Sequence, residues 1–132
     1  MSTPCIVSCH TEDGYLSIYV HNDGYPDHMF PLLRDWYGTK ERAESLVEFG
    51  DASYIDKRLI PSVGSGHCFD KPEDGVCVFY HRDRGEPWVR NAPAVYQKCQ
   101  VVNAHHYVYI FENGQWVMYI GGKEAVYSAD CE

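Results

Sequence analysis

The segment that most restricts the fold is HHYVYIFENGQWVMYIGG, residues 105–122. Its Asn-Gly dipeptide is preferred for a two-residue type I′ turn, and β-branched or aromatic residues dominate both flanking arms. Both sides of the first arm are apolar: Tyr107, Tyr109 and Phe111 on one, Val108 and Ile110 on the other. This pattern predicts a hairpin turned at Asn113-Gly114 whose arms, Tyr107–Phe111 and Trp116–Ile120, are the central pair of an antiparallel sheet. The alternative is that a partner covers one face of the hairpin, as in a homodimer.

Further strands are predicted in two other parts of the chain. Residues 5–10 (CIVSCH) and 14–21 (GYLSIYVH) are strand-like, and Gly14 provides the turn between them. Residues 76–82 (VCVFYHR) form a short, nearly continuous apolar run, which predicts another strand. The intervening residues 61–75 are rich in glycine and proline and predict a loop.

Two helices are predicted between these strands. Residues 39–50 have Thr39 as an N-cap, Gly50 as the residue after the end, and an apolar face repeating at helical spacing. The other helix follows the Asn-Asp-Gly turn at 22–24 and ends before Gly38. A proline in the interior of a helix costs about 3 kcal/mol. Pro31 therefore favours a helix that starts after Asp27 as N-cap, or one that starts near Phe30.

The order of these elements predicts the fold class. Two strands, two helices and then strands are typical of the α+β class. A chain of 132 residues fits one domain, and no linker or repeat divides it. The sequence therefore predicts a single α+β domain over residues 1–132, an antiparallel β-sheet with two helices packed on one face.

The charge distribution limits the partners. The net charge is −8, and no Lys or Arg precedes Arg34. Nucleic-acid backbones and membrane surfaces attract positive charge, so direct binding to either is not expected. A basic protein surface is the expected partner, although an acidic surface can also serve solubility alone. Without a signal peptide or a long apolar run, we expect a soluble cytoplasmic protein.

Six cysteines and seven histidines raise the question of disulfides and metals. In a reducing compartment the cysteines are expected to be free thiols. Spacings typical of zinc sites are missing, and Cys5 and Cys9 would lie about 13 Å apart on a strand. The sequence therefore predicts no metal site and no cofactor, although a zinc site assembled from separate loops stays open.

The densest charged cluster is HRDRGE, residues 81–86. Its charged side chains can neutralise one another at a strand end, the simpler interpretation. The alternative is a binding site in which Arg82 or Arg84 binds a carboxylate or phosphate, aided by His81. A second candidate site is His21 with Asp23, if the two strand ends meet. The candidate binding residues here are His81, Arg82, Asp83, Arg84, Glu86, His21 and Asp23.

Several motifs resemble one known family. HNDGYPDHMFPLL, LVEFGDASYI, HCFDKPEDGVCVFYHRDRGE and YIFENGQW look like a family of small uncharacterised proteins encoded by phages, prophages and integrative elements. The H-x-D-G-Y-P and R-D-R-G-E turns are specific as a set, and the similarity runs from Tyr19 to Trp116. The resemblance implies a mobile-element origin and a bacterial cytoplasm, and it carries over no catalytic residues. Pro31 departs from the pattern, where a small residue is more usual.

Three functions follow as hypotheses. The first is a non-enzymatic interaction protein, an inhibitor of a CRISPR-type host defence or of a nucleic-acid enzyme, binding through Glu41, Glu44 and Glu48. These span about 10 Å of helix, near the spacing of successive phosphates; their simpler interpretation is a solvated helix face. The second is a small metal- or nucleotide-dependent enzyme at the 21–24 and 81–86 turns. The third is a phage structural accessory protein.

Overall fold

The computed structural model describes residues 2–128 and contains one eight-stranded sheet and five helices. The strands are β1 (Cys5–Thr11), β2 (Gly14–Val20), β3 (Ala52–Tyr54), β4 (Val78–Phe79), β5 (Ala94–Tyr96), β6 (Tyr107–Glu112), β7 (Gln115–Ile120) and β8 (Lys123–Ala125). The helices are α1 (Pro26–Trp36), α2 (Lys40–Glu48), α3 (Tyr80–Arg84), α4 (Trp88–Asn91) and α5 (Lys98–Val102). The α+β class is confirmed.

The sheet is mixed, so the prediction of a purely antiparallel sheet is wrong. Its order is β4-β3-β2-β1-β6-β7-β8, with β5 paired to β2 off this path. The β1–β6 and β2–β3 pairs are parallel. A parallel pair needs a long crossover, and α1 and α2 provide it between β2 and β3. The sequence pattern showed hairpins but not which distant strands would become neighbours.

Both predicted hairpins are present. In the C-terminal hairpin, Phe111 pairs with Trp116 and Tyr107 with Ile120. Asn113 and Gly114 have φ values of 54° and 80°, the signs that a type I′ turn requires. β1 lies at the middle of the strand order, while β6 and β7 lie between β1 and β8. The side chains on both faces of the hairpin are buried, such as Tyr109 on one face and Val108 on the other, within the two clusters described next.

The two sheet faces bury different clusters. The larger cluster joins alternate residues of β1, β2, β6 and β7, such as Val7 and Tyr109, to Leu33 of α1 and Leu46 of α2. The smaller one lies on the opposite face and joins Val108 and Ile110 to Val101 of α5. Five helices are present instead of the predicted two, and they are not confined to one face.

Helix α2 matches its prediction closely. The Thr39 Oγ1 accepts a hydrogen bond from the Arg42 N–H at 3.2 Å, which satisfies one of the unpaired donors at the helix start. Ala43 and Val47 are buried, and Gly50 follows the helix with φ 86°. The apolar stripe therefore fixes which side of α2 faces solvent.

Two local predictions are wrong. Helix α1 begins at Pro26, with Tyr25 as its N-cap, and contains Pro31, instead of starting after Asp27 as N-cap or near Phe30. Within 76–82 only Val78–Phe79 is a strand, and the chain then enters α3. The R-D-R-G-E segment is thus the end of a short helix, closed by Gly85 at φ 78°.

Candidate functional site

The solvent face of α2 carries three carboxylates without protein partners. Glu41 and Glu48 are exposed and Glu44 is half-buried, on the side away from Ala43 and Val47. Within residues 2–128, none of the three forms an ion pair or accepts a hydrogen bond. The helix, which also carries Lys40 and Arg42, thus presents three carboxylates without direct partners on a backbone anchored to the core.

Two grooves meet at the C-terminal end of α2 and share Glu48 and Phe49. The first has a volume of about 730 Å³ and is lined by Trp36, Arg42, Ser45, Glu48, Phe49, Lys57, Arg58, Leu59 and Ile60. The second, of about 410 Å³, is lined by Glu48, Phe49, His81, Arg82 and Trp88. The fold therefore brings Glu48 together with His81 and Arg82, which the sequence had only proposed as separate candidates.

Each groove contains a partly exposed tryptophan. Trp36 is 46% exposed, with the Lys57 ammonium 5.5 Å from its ring centroid, and Trp88 is 42% exposed, with its ring against His81. Exposed tryptophans in concave surfaces are typical of binding hot spots. Sequence analysis missed both residues. For Trp88 the available signal was its position among charged and turn residues in GEPWVR, where no apolar stripe requires a tryptophan. Trp36 gave no such signal, because it continues the helical period of Met29 and Leu33.

Arg82 and Asp83 have extensive internal contacts. The Arg82 guanidinium donates to both carboxylate oxygens of Asp83, at 2.8 and 3.0 Å, and to the backbone carbonyls of Leu59 and Cys77. It also lies 5.1 Å from the Phe49 ring centroid. The Asp83 side chain is only 4% exposed. This pair therefore stabilises the fold, and its role in partner binding stays a prediction.

Asp83 also attaches the 61–75 loop to α3, because its backbone carbonyl accepts the Phe69 N–H at 3.0 Å. Its Oδ2 accepts the Phe79 N–H at 2.8 Å and lies 3.3 Å from His67 Nε2, without the geometry of a hydrogen bond to that histidine. The His67 Nδ1 accepts the Glu73 N–H, so the ring proton is on Nε2. Burial alone would raise the pKa of Asp83, but hydrogen bonds from Arg82 and Phe79 lower it overall.

The other residues of the 81–86 segment are more accessible. Arg84 is 52% exposed, pairs with Glu86 at 3.4 Å and lies over the Phe69 ring. His81 Nδ1 contacts the Glu86 carbonyl oxygen at 2.7 Å. The neighbouring charges thus neutralise one another within a helix end and its turn. Of this segment, His81 and Arg82 line the groove beside Glu48.

The 21–24 turn is stabilised by its own neighbours. The Tyr19 hydroxyl and His21 Nδ1 are 2.8 Å apart, and Asp23 has φ 58°. Gly24 packs so closely on Cys5 that an added Cβ would approach its side chain to 2.7 Å, which explains this glycine. In the described part of the chain, no hydrogen bond or ion pair joins this turn to residues 81–86. A combined site of His21, Asp23, His81 and Arg84 stays a prediction.

Metals and membranes have no visible signature. No three His, Cys, Asp or Glu residues among 2–128 form a group that could hold a metal ion. Across the same range, no helix has both the length and the apolar character of a membrane span. The five described cysteines form no disulfide, and Cys131 lies outside the described residues.

Comparisons of the chain with protein-family models, with curated proteins and with solved structures find no match. The resemblance to the mobile-element family therefore stays a prediction.

Proposed function

We propose that the protein is a non-enzymatic interaction protein that binds a basic surface of another protein through α2 and its two flanking grooves. The observation that carries the proposal is the combination of three unpaired carboxylates on α2 with an exposed tryptophan in each of the two grooves that Glu48 lines. Buried tryptophan contacts account for much of the binding energy in typical interfaces. Unpaired charges of one sign steer a partner of opposite charge and raise the association rate.

The position of the charges on α2 strengthens this proposal. The helix is capped at Thr39 and attached to the core by its apolar stripe, so the backbone that carries the carboxylates is fixed before binding. A rigid binding surface loses less conformational entropy on association than a flexible one. The net charge of −8 adds a long-range attraction for a basic partner.

The motif resemblance supports a biological setting for this binding. A mobile-element protein acts in the bacterial cytoplasm, where it meets host enzymes that bind nucleic acids through basic surfaces. An acidic protein can occupy such a surface stoichiometrically and block it. The partner class that we propose is therefore a CRISPR-type defence complex or another nucleic-acid enzyme of the host.

The experiment starts from a pull-down with the purified protein from host lysate, followed by association kinetics with the captured partner. The variant replaces Glu41, Glu44 and Glu48 by Gln, which keeps helix propensity nearly constant. We expect association to slow at least tenfold at low salt. The difference from wild type should be smaller at high salt, because the screening length falls as salt is added and is already about 8 Å at physiological ionic strength.

The control removes the same net charge elsewhere. Glu12→Gln, Asp13→Asn and Glu124→Gln change three exposed side chains that do not line either groove. If α2 is the interface, this control should slow association much less than the α2 variant. If both triple variants slow association equally, only the net charge of the protein matters, and the assignment of the interface to α2 is refuted. Trp88→Ala should chiefly accelerate dissociation, since a hot-spot contact acts after encounter.

A further inference from the structure

A third cavity shares no lining residue with the two grooves. It has a volume of about 510 Å³ and opens between the sheet and residues 88–104, which cross the sheet as α4, β5 and α5. Ile6, Ser17 and Tyr19 form its floor, while Arg90 and Gln100 are on its walls. The size is within the range of small-molecule sites, about 300–1,000 Å³.

Asp51 contributes a rigidly positioned carboxylate to this cleft. Its backbone N–H donates to the Asn91 carbonyl at 2.8 Å, and its own carbonyl accepts the Tyr80 N–H at 3.2 Å. Oδ1 accepts the Tyr19 N–H at 2.9 Å. Among the described residues, Oδ2 accepts no hydrogen bond and is not sealed from the cleft. Partial burial raises the pKa of this carboxyl, so a donor from a ligand would compensate its lost hydration.

Arg90 contributes the opposite charge to the same cleft. Its guanidinium makes no hydrogen bond or ion pair with any described residue, Asp51 included. Two opposite charges that share a small cleft without pairing leave one donor site and one acceptor site for a third molecule. The lining of the cleft also includes apolar side chains, among them Ile6 and Ala104.

The walls of the cleft are held by contacts that do not use either charge. Lys98, at the start of α5, forms an ion pair with Glu112 on the sheet at 2.8 Å. Val101 is buried against the sheet, and Ala94 of β5 pairs with Ser17 of β2. The cleft is therefore largely preformed, so a ligand would not have to order this part of the chain on binding.

We propose that this cleft binds a small zwitterion with an apolar side chain, an apolar amino acid or dipeptide. Its ammonium group donates to Asp51 Oδ2, its carboxylate accepts from the Arg90 guanidinium, and its side chains pack on Ile6 and Ala104. This site is independent of the interface on α2, and it is tested on the protein alone, with no partner protein present.

The test uses the dipeptide Leu-Leu and two capped forms of it as probes. N-acetyl-Leu-Leu lacks the ammonium group, and Leu-Leu amide lacks the carboxylate. By calorimetric titration at low salt, the protein should bind Leu-Leu about 10-fold or more tightly than either capped form, the effect of one charge-assisted hydrogen bond.

Two variants assign the two ends of the ligand. Asp51→Asn keeps an oxygen that can accept the Tyr19 N–H. This variant should no longer prefer Leu-Leu to N-acetyl-Leu-Leu, but it should still prefer Leu-Leu to the amide. Arg90→Gln should no longer prefer Leu-Leu to Leu-Leu amide, but it should still prefer Leu-Leu to the N-acetyl form. Because Arg90 is exposed, this variant should fold normally and tests the site even if the Asp51 variant folds poorly. Lys71→Gln, an exposed charge outside the cleft, should change neither preference. Absence of saturable Leu-Leu binding at millimolar concentration, or binding unaffected by both cleft variants, would overturn the proposal.

Discussion

Replacing Arg82 by Met should destabilise the protein far more than replacing Arg84 by Met, two residues along the same helix. Arg82 is 22% exposed and donates to Asp83 and to the carbonyls of Leu59 and Cys77. Met keeps an apolar stem of similar length against Phe49, so the change removes mainly the charge and the donors.

The size of the effect follows from what the substitution leaves behind. The 4% exposed Asp83 carboxylate would retain the Phe79 N–H but lose its bidentate partner. Leaving a buried charge without its partner costs about 3–5 kcal/mol. Arg84 is 52% exposed and its contact with Glu86 is 3.4 Å long. Such exposed pairs contribute about 0–1 kcal/mol. Since domains of this kind are stable by about 5–15 kcal/mol, the Arg82 variant should lose a large fraction of its stability.

Urea unfolding followed by tryptophan fluorescence measures both variants, and pH provides an internal check. The pKa of Asp83 is lowered in the folded protein, so its ion pair stabilises above the unfolded carboxyl pKa, about 4, and is lost as pH falls through the folded value. Once Arg82 is absent, burial should raise the pKa of Asp83, and the stability difference from wild type should shrink from pH 7 towards pH 4. A difference between the two variants below about 1 kcal/mol would refute the structural role assigned to Arg82.

Two further predictions concern burial. Without denaturant, a thiol reagent at neutral pH should modify the exposed Cys68 and Cys99 rapidly and spare Cys9, because burial raises the pKa of the Cys9 thiol to about 11. In unfolded protein without reductant, the same reagent should titrate six thiols, and a smaller number would indicate a disulfide. In amide exchange, β6 and β7 should be among the slowest segments, because both have a paired neighbour on each side, and fast exchange along both would contradict the strand order.

Local sequence signals predicted the elements whose contacts are short in sequence. The hairpin at Asn113-Gly114 and helix α2 each carry their own turn or cap residues and a clear period, so neighbouring residues determine them. The strands β3, β4 and β5 contain only two or three residues each. Segments that short show no measurable alternation of apolar and polar residues. They become strands because the backbone groups at the edges of β2 and its neighbours are available to pair with them. Their pairing, and with it the mixed sheet, depends on tertiary contacts.

The candidate site shows the same division. The period of α2 correctly predicted that Glu41 and Glu48 face solvent. Charge density in 81–86 identified Arg82 and Asp83, but only the fold shows that Asp83 is buried. Arg90 and Asp51 are nearly 40 positions apart, and nothing in either local sequence indicates that they line one cleft. Residue type can be read from the sequence, whereas burial and convergence depend on how distant segments pack.

Helix α1 shows how packing overrides a local rule. Pro31 lies inside the helix and cannot donate to the Asp27 carbonyl, which costs about 3 kcal/mol. The helix and the residue after it bury four large side chains: Met29, Leu32, Leu33 and Tyr37. At about 1.5–3 kcal/mol each, their burial exceeds that cost several-fold before conformational entropy is counted. The register that buries these side chains therefore decides where α1 starts.

Replacing Pro31 by Ala should then stabilise the protein. The new N–H can bond the Asp27 carbonyl, which removes the cost of about 3 kcal/mol. The alanine variant also gives the unfolded chain more freedom, worth about 0.4–1 kcal/mol, so we expect a net gain of about 2 kcal/mol or slightly more in urea unfolding. Pro26→Ala is the matched control. At the first helical position a proline costs nothing, so this substitution should be neutral or destabilise by up to about 1 kcal/mol. If Pro31→Ala destabilises as much as Pro26→Ala, the hydrogen bond missing at Asp27 does not limit the stability of α1.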